Sequence, residues 1–343
     1  MSAPAPSMYS LEARAVAERL GLTLGHPNLE EFAATVQKLA ASDRDVVAVT
    51  SDSRGSGKLG PFGKAFPNQI VELGIAEQNL VGVAAGLASA GKKVFAVSPA
   101  CFLTARSLEQ IKNDVAYSDN PVTLVGISAG VSYGALGTTH HSLHDLAALR
   151  AINNLIIVSP ADNYEAREAV KAASALDKPV YLRFGKAPLY DLSGADTSPF
   201  EIGKGRTLRE GDDVAFVATG ETVIHALLAA AYLKESEGLS CRVISLHSLK
   251  PFDEEIVLKA ASECSAVITV EEHMTHGGLG EACAGAILQS GLSPRFRMVG
   301  IPDEYTVTGS QSDIFRHYGI SMEGLAAAAL NVQRRTPNAE LPI

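Results

Sequence analysis

The stretch Glu72-Leu-Gly-Ile-Ala-Glu77-Gln-Asn-Leu-Val81-Gly82 opens a helix over 76–90, and the residues that follow Glu77 on it, Val81, Val83, Ala84, Ala85 and Leu87, are small and apolar. Glu77 therefore falls in the first turn of a largely buried helix. A strand follows at once over 93–98, apolar on both faces. Outward from this pair the alternation repeats. Strand patterns at 46–50, 122–128, 155–160 and 180–184 are interleaved with helical patterns at 29–41, 104–116, 143–151 and 161–175. Strands without a polar face, each followed by a helix, predict a parallel sheet covered on two sides. Residues 188–200 are rich in Pro, Ser, Gly and Asp and lack periodicity, which marks a linker. The alternation resumes at 213–219, 222–236, 241–246, 253–262, 266–270, 278–289 and 296–301, and a last helix runs over 322–334. The fold class is α/β: two tandem domains, each a mostly parallel sheet with helices on both faces, over 28–187 and 201–343, with 1–27 as an N-terminal extension. No short-period repeat is present, which excludes a solenoid. Ligands of such sheets gather beyond the carboxyl ends of the strands, so residues 51–64, 98–106, 129–144 and 185–186 are the places to look.

The bulk numbers fit this reading. A chain of 343 residues is long enough for two domains with their own cores, and 46% hydrophobic with 20% charged residues is the composition of a globular protein. No apolar run approaches the roughly 20 residues of a bilayer span, and the N-terminus lacks the basic and apolar regions of a signal peptide. The cysteines Cys101, Cys241, Cys264 and Cys283 are scattered, with no C-x-x-C pair, so a cytoplasmic location is expected. A net charge of −9 argues against nucleic acid as a partner. A few local cations would still allow an anionic small substrate.

A glutamate at a helix start is ordinarily an acid stabilised by the helix dipole. In an apolar pocket the same carboxyl shares a proton with a nitrogen base instead of only ion-pairing. Gly74-Ile75-Ala76-Glu77-Gln78-Asn79 resembles the G-I-x-E-[QH] signature of the pyrimidine-binding domain of the transketolase family, which includes deoxyxylulose-phosphate synthases and the β subunits of 2-oxoacid dehydrogenases. The resemblance implies that Glu77 hydrogen-bonds N1′ of the thiamine diphosphate aminopyrimidine. The imino tautomer so favoured takes the proton from the thiazolium carbon. Ala100-Cys-Phe102-Leu-Thr-Ala-Arg106-Ser-Leu-Glu-Gln110 is similar to the family's F-x-x-R-x-x-x-[DE]-Q helix, where an aromatic packs on the pyrimidine. Here the spacing to the arginine is one residue longer than in many relatives. Phe102 is assigned to the ring, with Leu103 as the alternative, and Arg106 joins them as cofactor-binding; an ordinary core role for Phe102 stays open.

The block Gly130-Val-Ser-Tyr-Gly134-Ala-Leu136-Gly137-Thr-Thr-His140-His141-Ser-Leu-His144-Asp145 offers three histidines. A third or fourth ligand and an acidic second shell are not evident beside them, so no metal site is assigned. The block resembles G-x-D-G-x-[TS]-H of transketolases and deoxyxylulose-phosphate synthases. His140 then matches the histidine that hydrogen-bonds substrate oxygens, a task suited to a group that titrates near neutrality. Leu136 stands where many relatives carry Asp, which departs from an ordinary ketose-phosphate donor; His144 adds a polar group there. Val180-Tyr-Leu-Arg183-Phe-Gly-Lys186 resembles the R-x-x-R element whose second cation binds substrate phosphate. Lys186 takes that place as a point charge, with Arg183 beside it, and a sulfonate or carboxylate tail stays open. Arg54-Gly-Ser-Gly57-Lys58-Leu59 looks like a nucleotide phosphate loop but lacks the Ser/Thr after the lysine and the properly spaced first glycine. In the family reading Arg54 and Lys58 face the substrate funnel and draw in an anion.

In the second domain, Glu271-Glu272-His273-Met-Thr-His276-Gly-Gly278-Leu-Gly280 is similar to the family's E-x-H-x-x-x-G-G-L-G turn, read as a structural strand-to-helix connection rather than a histidine metal site. The G-D-G…N segment that holds Mg²⁺ and the cofactor diphosphate in this family is not recognisable: Glu210-Gly-Asp-Asp213 lacks the second glycine, and Mg²⁺ needs near-octahedral oxygens. The resemblance thus implies the β-type, C-terminal subunit of a split transketolase. It would share thiamine diphosphate with a diphosphate-binding, N-terminal-type subunit that holds most of the Mg²⁺ shell, as an α2β2 heterotetramer. The implied activity is a transferase of carbohydrate metabolism, moving a two-carbon ketol unit from a ketose phosphate or related sugar acid ester to an aldehyde, with the chain inactive alone. Some split members act on apulose 4-phosphate or a sulfo-sugar, and Leu136 and Lys186 leave both open. The alternatives are a 2-oxoacid dehydrogenase β subunit, against which Gly137-Thr-Thr-His140 and the Arg183/Lys186 pair weigh, and a non-catalytic α/β binding protein of the same fold. Glu77 together with His140 weighs against the latter, because the fold needs neither.

Overall fold

A computed structural model of the chain describes residues 8–192 and 199–334. The first seven residues of the expected extension, residues 193–198 of the expected linker and residues 335–343 of the second domain lie outside the described residues. In chain order the strands are β1 (Leu24–Pro27), β2 (Val46–Thr50), β3 (Ile70–Glu72), β4 (Lys93–Pro99), β5 (Val122–Ile127), β6 (Ile156–Val158), β7 (Val180–Phe184), β8 (Pro188–Tyr190), β9 (Arg206–Arg209), β10 (Val214–Ala218), β11 (Cys241–Ser245), β12 (Ser248–Lys250), β13 (Ala266–Met274) and β14 (Arg295–Ile301).

The first sheet runs β12-β6-β7-β5-β4-β2-β3 and the second β14-β13-β10-β11-β9. All pairings within them are parallel except at two edges, β12 on β6 and β9 on β11. Every residue of β2, β5, β7, β10 and β11 is buried, which is why these segments read as unbroken apolar runs rather than alternating ones. Helices Asn28–Ser42 and Asn163–Ala175 cover one face of the first sheet, burying Phe32, Val36, Ala166 and Val170. On the other face Leu80, Val81 and Ala84 of helix Glu77–Ser89 join a cluster that continues through Leu246, Leu279 and Cys283 of the second domain. The two halves thus share one apolar layer. They also share a sheet, because β12 comes from the second half and completes the edge of the first. No described helix is long and apolar enough to cross a membrane.

The segment read as an N-terminal extension is built into the structure. Helix Leu11–Arg19, capped by the Ser10 hydroxyl, places Ala13, Val16 and Ala17 in the core of the second domain, the i, i+3, i+4 stripe of a packed helix. β1 then pairs with β8, the first piece of the expected linker. The helix expected over 104–116 starts earlier, at Ala100 after Pro99, and breaks at Ser107. There the hydroxyl bonds back to the Leu103 carbonyl at 2.5 Å, competing with the helical ladder.

Helix Val223–Glu237 is buried nearly all round and carries His225 inside it, stacked on Tyr9 and edge-on to Phe315. Neither ring nitrogen has a hydrogen-bond partner among the described residues. Burial pushes its pKa down to about 4, against an opposing pull from Glu323. The folded chain therefore binds this proton more weakly than the unfolded chain, whose histidine titrates near its usual value of about 6.5. Stability is expected to fall as pH drops between those two values, by roughly 3 kcal/mol from this residue, and His225→Phe to flatten that slope. Denaturant midpoints of both proteins across this range check it; parallel slopes would refute it.

Candidate active site

The candidate residues lie beyond the carboxyl ends of β2, β3, β4, β5 and β7, where the parallel strands direct their loops. Gly74, at φ +69°, makes the turn out of β3 that lets helix Glu77–Ser89 begin. The Glu72 carboxylate braces this turn by accepting from Gly74 N at 3.1 Å and from Asp52 N, in the loop after β2, at 2.6 Å. Glu77 is only 5% exposed. Its Oε1 accepts from Arg106 Nη1 at 2.7 Å, and its other oxygen has no hydrogen bond among the described residues. The expected apolar pocket is thus a half-polar one: a depression lined by Ile75, Ala76, Glu77, Gln78, Asn79 and Arg106, with one carboxylate oxygen held and one unengaged. Arg106 is turned to the carboxylate and at the same time lies over the Phe102 ring, 4.1 Å from its centroid.

Phe102 is half-buried and meets the His140 ring edge-on at 5.3 Å. Leu103, the alternative to it, is fully buried in the core; one step of about 100° around the helix separates core from site, so Leu103 offers no surface to a cofactor. His140 also meets the Tyr133 ring at 5.4 Å, and its Nδ1 contacts Thr139 Oγ1 at 3.0 Å. His144 is exposed at the start of helix Asp145–Arg150, with Nε2 3.3 Å from Thr104 Oγ1. Lys186 sits with its ammonium 4.6 Å from the Tyr133 centroid. Burial and the neighbouring Lys58 lower its pKa. Lys58 pairs with Glu30 at 2.9 Å. Arg54 lies so close against helix Gly60–Ala65 that a Cβ at Gly63 would collide with its guanidinium.

Arg183 does not belong to this surface. It is 6% exposed, its Nε donates to Asp145 Oδ2 at 2.8 Å, and its Nη2 donates to the carbonyls of Ser142 and Glu272. Its fork is spent between the two domains, so the cation expected at the substrate is a strut. The run 271–280 is structural in the same way. The Glu271 carboxylate accepts from Leu279 N and Gly280 N at 2.8 Å each, capping helix Leu279–Gln289. Glu272 Oε1 accepts from Val131 N and from Gln311 Nε2, both at 2.8 Å. His141 is buried, with Nε2 on the Gly134 carbonyl and Nδ1 on Thr306 Oγ1. The partners fix its tautomer: Nε2 donates and Nδ1 accepts. The second domain therefore holds the 130–141 loop from behind. Among the described residues no three His, Cys, Asp or Glu side chains are grouped as metal ligands would be. Tyr133 and Thr104 stand among the candidate residues though motif matching passes over them; the sequence signal for Tyr133 is an aromatic flanked by Gly130 and Gly134, and the structure gives both glycines positive φ.

Residues 29–190 match the family described as transketolase, pyrimidine binding domain, and residues 203–325 match transketolase, C-terminal domain. The chain belongs to the transketolase family. It is 47% identical to one of the subunits of the apulose-4-phosphate transketolase of Phocaeicola vulgatus, over 89% of this chain and 97% of that one. It is 34% identical to the 6-deoxy-6-sulfo-D-fructose transketolase subunit of a Clostridium species, over 90% and 92%. Among solved structures, a split-gene transketolase described as an inactive β4 tetramer superposes with a TM-score of 0.81 at 34% identity, covering 90% of this chain and 99% of that one.

Proposed function

We propose that this chain is the pyrimidine-side, β-type subunit of a split transketolase, transferring a two-carbon ketol unit from an anionic ketose to an aldehyde. It would do so in the cytoplasm, with thiamine diphosphate bound between it and a diphosphate-binding subunit that holds Mg²⁺. The observation that carries the reading is the convergence of Glu77, Phe102 and His140 at the strand ends, with a carboxylate oxygen left unengaged in a depression beside an aromatic ring. That arrangement fits an aminopyrimidine, which needs an acceptor for a ring N–H and a flat apolar neighbour. Two relatives of matching length are named as transketolase subunits, which supports a separate partner, most simply in an α2β2 assembly. Their names put apulose 4-phosphate and a sulfo-sugar among the donors to try.

When bound, the cofactor supplies a carbon nucleophile and electron sink. The chain's own residues do the rest. Glu77 holds a proton at the pyrimidine nitrogen, and Arg106 fixes which carboxylate oxygen stays available. His140 donates to or accepts from substrate oxygens. Lys186, with Lys58 near it, attracts the anionic tail. His144 and Thr104 add polar contacts on the rim.

The test is ketol transfer by the chain with and without a diphosphate-binding subunit, thiamine diphosphate and Mg²⁺, comparing xylulose 5-phosphate, apulose 4-phosphate and sulfofructose as donors. Turnover only in the mixture is expected. Turnover by the chain alone, or silence in a mixture shown to assemble and bind cofactor, would overturn the reading.

A further inference from the structure

Five side chains form a continuous run across the site: Arg106 over Phe102, Phe102 against His140, His140 against Tyr133, and Tyr133 under Lys186. Its two ends differ in what they touch. The Arg106 end is tied to Glu77. The Lys186 end has no ion pair among the described residues. An ammonium on a four-carbon stem sweeps a wide volume unless something holds it. Here it lies over the ring of Tyr133, whose negative face attracts a cation.

Tyr133 is itself held. Its loop closes with Gly134 N donating to the Val131 carbonyl at 2.8 Å. Val131 N donates to the buried Glu272 carboxylate of the second domain. Gly134, at φ +50°, packs so close that a Cβ would lie 2.6 Å from the Gly309 carbonyl oxygen. The loop that carries the ring is therefore fixed, and the ring itself stands between His140 and Lys186, which lie on separate loops.

We infer that Tyr133 is a positioning residue, setting the distance between the histidine that meets the reacting end of the donor and the lysine that meets its anionic end. The inference rests on the ketol-transfer reading. It assigns selectivity for the length of the anionic donor to a residue that need not touch the reacting carbon. Donors whose terminal anion lies at the matching separation from the carbonyl bind well; shorter or longer ones do not gain from Lys186.

The variants are Tyr133→Leu, which removes the ring, and Tyr133→Phe, which keeps it. In the reconstituted complex Tyr133→Leu is expected to raise KM for a phosphorylated donor about fivefold to tenfold. Its kcat should change far less, and KM for the same sugar without phosphate should not move. Tyr133→Phe, which loses only the hydroxyl's contact with Ser128, should keep KM for the phosphorylated donor within about twofold of the unaltered value. Tyr133→Leu should add little in a Lys186→Ala background because the ring acts through the lysine. In the full chain without its partner, the lysine Cε carbon and protons of Lys186 should show the upfield ring-current shift of a group over an aromatic face. That shift should persist in Tyr133→Phe and vanish in Tyr133→Leu. Equal KM changes for the two donors, or no ring-current shift on Lys186 in the unaltered chain, would overturn the inference while leaving the activity in place. An inactive unaltered complex would instead remove the ketol-transfer reading and this inference with it. The ring-current measurement does not depend on Tyr133→Leu folding.

Discussion

Glu77→Gln is expected to lower ketol transfer by the reconstituted complex by about two orders of magnitude or more, the usual cost of removing a positioned proton donor or acceptor. Glutamine has the shape of glutamate and keeps a carbonyl oxygen for Arg106, but it neither takes nor holds the proton that the pyrimidine nitrogen requires. The fold should not notice. Arg106 loses an ionic partner but stays 46% exposed and keeps its place over Phe102, and because the substitution removes the buried charge and leaves the remaining one within reach of water, no charge is stranded. The thermal midpoint of the chain should therefore stay within about 2 °C of the unaltered protein, since a change of a few tenths of a kcal/mol shifts a domain of this size no further. Initial rates at saturating cofactor and a thermal melt make the comparison. Activity above a third of the unaltered level, with the variant shown to be in the complex, would remove Glu77 from the chemistry. A melt that collapses would instead show that the carboxylate is part of the scaffold.

Phe102 and His140 were legible because each follows a strand that announces itself. Glu77 follows β3, a three-residue, partly exposed strand that the apolar pattern does not mark, and it is reached through its motif instead. β2 and β7 are five-residue runs with every side chain buried, and an apolar segment of that kind has few readings. Once the strands are placed, Glu77, Phe102 and His140 fall on neighbouring loop regions at one end of a parallel sheet. What stayed hidden depends on contacts remote in sequence. Ser248-Leu-Lys250 carries no pattern that says strand; it becomes β12 only because β6 leaves an open edge. Residues 8–27 look like an extension until the second domain supplies the surface that Val16 and Ala17 fill. The choice between Phe102 and Leu103 turns on helix phase, which motif spacing with one extra residue leaves undecided. Arg183 is the clearest case. A cation at the end of a strand invites a substrate, and nothing in the linear sequence shows that Asp145, 38 residues upstream, arrives to bind it.

That last contact carries a large effect of its own. Arg183→Met is expected to destabilise the chain by about 3–5 kcal/mol, the cost of leaving one buried charge of a pair without its partner. Asp145 is fully buried and accepts from both Arg183 Nε and the Tyr181 hydroxyl. Burial alone would push its pKa up, but Arg183, His273 and these hydrogen bonds together hold it below the ordinary carboxylate range. In the unaltered protein Asp145 therefore contributes stability that is present at neutrality and lost as pH falls through its depressed pKa. Without Arg183 the balance reverses. Desolvation dominates, the pKa rises, and the folded chain now binds the proton more strongly than the unfolded one. The variant should accordingly lose less stability at mildly acid pH than at neutrality, and Arg183→Met combined with Asp145→Asn should recover part of the loss, because no charge is then stranded. Denaturant midpoints of the single and double variants at two pH values give the answer. The same proteins separate the strut from a substrate contact: the folded fraction of the variant should bind donor with nearly the unaltered KM, since the guanidinium is spent on Asp145 and two backbone carbonyls. A large rise in KM with stability intact would return Arg183 to the substrate and leave the junction of the two domains to the apolar layer and Glu272.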